Sequence, residues 1–154
     1  MTTLTITRIG HASVLLDFAG YKVLTDHWFS VKFGNYHGEP YGITLEKLPH
    51  LDAVVVSHGH YDYYDMEAFQ SYPDKQVPKA VKRGIVQVAR KVGFTNVVEM
   101  EAWETTSLGP LTVTATPWKH GVPEITSMLQ ANCFTVYFGA DTLLGVHSSV
   151  SSLD

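Results

Sequence analysis

The chain has 154 residues, 45% of them hydrophobic and 17% charged, with a formal net charge of −4 at pH 7. That length and apolar share suit one domain with a sizeable core and exclude a disordered chain, and the acidic balance removes the electrostatic case for nucleic acid or an anionic membrane as partner. Cys133 is the single cysteine, which fits a reducing cytoplasm, while no signal-peptide pattern opens the chain and no apolar run approaches the ~20 residues of a membrane span.

The first elements read as a β-meander. Residues 4–9 and 13–18 have strand character, Ala19-Gly20 supplies a turn, and Tyr21 to Asp26 gives a third strand. Residues 27–50 are rich in glycine and proline and read as a long loop, with one helical turn over Thr44 to Leu48. Leu51 to Val56 is a β-branched run that reads as a buried strand. Asp65 stands near the N-cap of a short helix over 65–69. The spacing of Ala80, Val81, Ile85, Val88, Ala89 and Val92 predicts a helix over 79–92, with Gly93 as its cap and Lys79, Lys82, Arg83, Arg90 and Lys91 on a solvated face. Strands follow at 96–100, 111–116 and 133–138, with a turn at 107–110 and Cys133 as a small core residue. Strands, then helices, then strands indicate a layered α+β protein with mixed sheets.

The chemistry concentrates in Ser57-His58-Gly59-His60-Tyr61-Asp62-Tyr63. In extended backbone the side chains of His58 and His60, two residues apart, point the same way and can share an ion, with Gly59 allowing a tight path between them. Alone, such a pair is weak, since most H-x-H pairs hold no metal, and a lone His120 or Asp141 reads as a loop residue or a turn. Each group, however, directly follows a strand, which converges them on one sheet edge. Three nitrogens from His58, His60 and His120 leave a water position open, as in a catalytic zinc site, where bound water ionises near a pKa of about 7. Asp62 is placed to orient that water or to ligate a second ion, and Asp141 to bridge two ions.

At these residues the chain resembles the metallo-β-lactamase-fold hydrolases, in particular the ascorbate-6-phosphate lactonase-like and N-acylphosphatidylethanolamine phospholipase D-like branch. The resemblance rests on His58 to Tyr63 against a family H-x-H-x-D-H, with Gly10 to Ser13, Val23 to Ser30, Asn96 to Glu99, Pro117 to His120 and Phe138 to Thr142 following in family order. It implies an αββα sandwich, of which residues 1–154 are a single domain incomplete at its C-terminus. It also implies a first metal on His58, His60 and His120, Asp62 serving a second with Asp141 bridging, Asp26 supporting the ligand loop, and His11 lining the pocket. The implied activity is hydrolysis of an ester, lactone or phosphodiester small molecule by metal-bound hydroxide.

Tyr63 stands where the family has histidine, and a phenol with pKa near 10 is a poor zinc ligand beside an imidazole. The expectation is therefore one ion per chain, Zn2+ with Mn2+ or Fe2+ as alternatives. His147 is not expected to replace the family's last histidine. Uncovered sheet faces would favour self-association. The competing expectation is a degenerate member that binds metal or partners without turnover.

Overall fold

The structure, a computed structural model, describes residues 2–30, 40–120 and 122–140, with the backbone alone at 119, 120, 122 and 123. Asp141 and His147 lie outside the described residues.

Among the described residues, ten strands form two sheets. The first contains β1 (Leu4–Gly10), β2 (Ser13–Phe18), β3 (Tyr21–Thr25), β4 (Ala53–Val56), β5 (Lys79–Lys82) and β6 (Val97–Met100), in that spatial order. Its first three strands are an antiparallel meander joined by two-residue turns at His11-Ala12 and Ala19-Gly20. The Asp17 carboxylate accepts the Gly20 amide at 2.6 Å and closes the second turn. From β3 to β6 the pairing is parallel. The second sheet is an antiparallel meander of β7 (Thr105–Leu108), β8 (Leu111–His120), β9 (Val122–Ala131) and β10 (Phe134–Phe138). The α-helix α1 (Val86–Lys91) connects β5 to β6.

Strand alternation decides what each face buries. Leu16, Phe18, Val23, Val55, Ala80 and Met100 of the first sheet pack against Leu111, Val113, Ala115 and Leu129 of the second, making an inter-sheet core. On the other face of the first sheet, Val54, Val56, Val81, Phe69, Ala89 and Phe94 form a second core under α1 and the loops. The inner parallel strand β4 is buried on both faces, which is why it reads as an unbroken apolar run.

Several expectations need correction. Residues 79–92 are not one helix. Lys79–Lys82 is a strand between β4 and β6, Gly84 turns the chain at φ +96°, and only Val86–Lys91 is helical. Ala80 and Val81 contact opposite faces of the sheet, so their spacing to the later apolar residues imitated a helical period. Lys79 is accordingly fully buried rather than on a solvated helix face. Residues 107–110 are a turn only at Gly109-Pro110, because β7 occupies 105–108, and β9 lies at Val122–Ala131, where the sequence pattern indicates no strand. Cys133 is exposed, in the turn after Asn132 (φ +54°), not in the core. The last described strand, β10, turns Phe134, Val136 and Phe138 toward the inter-sheet core and leaves Tyr137 exposed.

Candidate metal centre

The C-terminal end of β4 places the motif. After Val56 the backbone leaves the sheet, and its next two residues, Ser57 and His58, remain buried at 1% exposure each. Gly59 is explained by close approach rather than by a tight turn, since a Cβ there would lie 2.8 Å from the Ile85 side chain. The loop returns through backbone bonds from Tyr63 and Tyr64 amides to the His60 carbonyl, at 3.0 and 2.8 Å. It is then tied to the extension of β3, where the His27 amide donates to the Tyr63 carbonyl and the Asp65 amide to that of His27.

Asp65 locks this junction. Its carboxylate accepts the Phe29 and Ser30 amides at 2.8 and 2.6 Å, the Ser30 hydroxyl at 2.7 Å, and the Ala68 amide at 3.0 Å. The last of these caps the 3-10 turn Ala68–Gln70.

His58 and His60 are brought together. His58 Nε2 lies 3.1 Å from His60 Nδ1. Two nitrogens about 2.0–2.1 Å from one tetrahedral zinc stand about 3.3 Å apart, so this spacing fits a shared cation. Without a cation the same spacing suits a ring N–H donating to a ring lone pair.

The other nitrogen of His58 points inward. Nδ1 lies 2.8 Å from Ser57 Oγ and 3.4 Å from Glu124 Oε2, with the Glu124 side chain at 0% exposure. Ser57 Oγ donates to Asp26 Oδ2 at 2.8 Å, and the Ser57 amide donates to Asp26 Oδ1 at 2.8 Å. Asp26 thus grips the residue before the first histidine from a backbone at φ +23°, a costly conformation for a non-glycine residue. Burial pushes the Asp26 carboxyl up to about 8; the Ser57 bonds oppose the shift, and the like charges of Glu124 and Asp62 add to it. A cation at His58 and His60 would relieve that concentration of negative charge.

Asp62 is half-buried at the outer side of the loop, its Oδ2 3.4 Å from His11 Nε2. His11 occupies the β1–β2 turn at φ +50° and meets the rings of Trp28 and Tyr63 edge-on, at centroid distances of 5.3 and 4.9 Å. The Tyr63 ring lies 4.1 Å from that of His58 and is buried, so the phenol packs between the two histidines as a wall. Trp28 and Tyr64 are buried as well, while Tyr61 is partly exposed against Trp28.

The second sheet reaches this loop through β9, whose Ile125 amide donates to the Ser57 carbonyl at 3.2 Å. Position 120 ends β8, opposite Val122 in the ladder and two places beyond Trp118, which pairs with Glu124. Among the described side chains no three metal-capable groups converge, and that set does not include the imidazole of His120. Sequence reasoning missed Ser57 and Glu124. Ser57 was legible as the residue joining β4 to the motif, whereas Glu124 carries no local signal and depends on a strand that was not recognised.

A family model described as a beta-lactamase superfamily domain matches residues 21–147. An uncharacterised protein of Mycobacterium tuberculosis is 32% identical over 126 residues, covering 76% of this chain and 34% of that protein. An N-acyl-phosphatidylethanolamine-hydrolyzing phospholipase D of Caenorhabditis elegans is 43% identical over 68 residues, 40% of this chain and 19% of that enzyme. The crystal structure of CmlA, a diiron beta-hydroxylase from Streptomyces venezuelae, superposes with a TM-score of 0.71 at 23% identity, over 92% of this chain and 30% of that one. The chain spans about a third of the length of the first of these relatives.

Proposed function

The chain belongs to the metallo-β-lactamase superfamily, and from that premise we propose that it is a metal-dependent hydrolase in which His58, His60 and His120 hold one divalent cation. The observation that carries this reading is the 3.1 Å approach of His58 Nε2 to His60 Nδ1 at the end of β4. When bound, a cation such as zinc supplies Lewis acidity and a water that ionises near neutral pH.

The protein's own groups supply the rest. Ser57 and Glu124 fix the His58 ring, and Asp26 fixes Ser57. Asp62, partly exposed beside the loop, accepts a proton from the attacking water and turns it toward the substrate, and His11 holds the Asp62 carboxylate in place. Tyr63 closes the pocket side of His58 with an apolar ring face. The substrate class is a small ester, lactone or phosphodiester, and Asp141 is assigned to the same site. The structural likeness to a diiron hydroxylase, at 23% identity, speaks for the fold and not for its chemistry. Tyr63 in the family's histidine position argues for a single ion here.

The test is zinc content and zinc titration of the purified chain, with turnover of bis(p-nitrophenyl) phosphate and of a γ-lactone. One zinc per chain is expected, together with hydrolysis of at least one probe that is lost in His60→Ala. Failure to take up zinc, manganese or iron on titration refutes the metal site. The buried Tyr63 favours a second reading, a metal-binding module without turnover, and uptake of one ion with no hydrolysis of either probe decides for it.

A further inference from the structure

The contact between Glu124 and His58 assigns the second sheet a part in preparing the ligand. A neutral imidazole presents a lone pair from Nε2 only when its proton sits on Nδ1. Ser57 Oγ is the nearer neighbour of Nδ1, at 2.8 Å, but a hydroxyl both donates and accepts. If its hydrogen turned from Asp26 to His58, it would stabilise the opposite tautomer. An ionised carboxylate only accepts, and Glu124 Oε2 stands 3.4 Å from the same nitrogen, an ion-pair approach rather than a hydrogen bond, with both side chains at or below 2% exposure. At that burial an N–H directed toward a carboxylate is electrostatically strong, and a lone pair directed toward it is repelled.

We propose that Glu124 is a positioning residue: from β9 it holds the His58 proton on Nδ1, so that Nε2 faces His60 as a ready metal-binding lone pair. The Ile125–Ser57 backbone bond, 3.2 Å long, fixes the reach of the neighbouring Glu124 side chain. The ladder partner Trp118 holds the same strand from its other edge. The inference rests on the metal-site reading above and adds to it a residue that the motif does not contain.

The test uses the whole chain, metal-free and then with zinc. Long-range 15N–1H correlation spectra of the imidazoles report the His58 tautomer directly, and competition with a chromophoric chelator reports zinc affinity. In the unmodified chain His58 is expected as the Nδ1–H form. Glu124→Leu should shift His58 toward Nε2–H and weaken zinc binding roughly 10- to 100-fold. Glu124→Gln keeps the shape without the charge and should fall between; it supplies the reading if the leucine variant does not fold. Glu124→Asp should restore part of the Nδ1–H population, which a purely packing role would not do. An unchanged tautomer in both Glu124→Leu and Glu124→Gln overturns the proposal. If the unmodified chain binds no zinc, the metal reading fails, while the tautomer ratios still decide the role of Glu124.

Discussion

Lys79 begins β5 with no exposed surface, its ammonium 4.1 Å from the Phe94 ring centroid and 4.9 Å from that of Phe69. Its nitrogen has no hydrogen-bond partner among the described residues, so two ring faces are its main compensation. Burial, with Lys75 adding to it, lowers the Lys79 pKa from 10.5 to about 7. The unfolded chain then takes up a proton below about 10.5 that the folded chain resists until about 7. Stability is therefore greatest above the upper value and declines as pH falls through this window. Lys79→Met is expected to raise the unfolding free energy by roughly 1–3 kcal/mol at pH 7, with the gain shrinking to nothing near pH 10.5. Urea denaturation at the two pH values checks this, and an equal gain at both contradicts it. At this scale the sequence was legible where chemistry repeats at short range. His58, Gly59 and His60 declared themselves by spacing, but the burial of Lys79 and the partnership of Glu124 with His58 depend on neighbours far along the chain.

The ending of α1 shows what local sequence can specify. The Gly93 amide donates to the Arg90 carbonyl at 3.0 Å and the Phe94 amide to that of Ala89 at 3.2 Å, the paired bonds of a Schellman cap, with Gly93 at φ +96°. A Cβ on Gly93 would meet only the Lys75 side chain, at 3.8 Å, so Gly93→Ala isolates the backbone cost. It is expected to destabilise the protein by about 1 kcal/mol, read as a lowered thermal midpoint without loss of zinc binding. The cap was legible because glycine has one physical role there, and β2 forms with the bounds its sequence suggests, while β4 starts two residues inside the apolar run that marks it. The start of the same segment was not legible. Whether Lys79-Ala80-Val81-Lys82 is helix or strand is decided by the open edges of β4 and β6 on either side, which no local period records. In the same way, β9 became identifiable only through its pairing with β8 and β10.

Across the whole molecule, the candidate ligands come from both sheets: His58 and His60 follow β4, while residue 120 ends β8. A cation held by all three would tie the two layers together, so binding and global stability should be linked. Zinc at a hundredfold excess over its Kd is expected to add about 2.7 kcal/mol to the unfolding free energy of the unmodified chain and almost none to His58→Ala. Thermal melts with and without zinc measure this, and an equal shift in both proteins refutes the linkage. The ladder between β8 and β9 also constrains how this chain can diverge. Glu124, its opposite neighbour Trp118 and position 120 share one parity of the ribbon, whereas Val113, Ala115 and Leu129 share the other and fill the core. An insertion of one residue taken up within β9 before Glu124 would turn Glu124 to the core face and Leu129 away from it, and an insertion of two would restore both. Descendants of this chain should therefore tolerate length changes in that ribbon only by even steps.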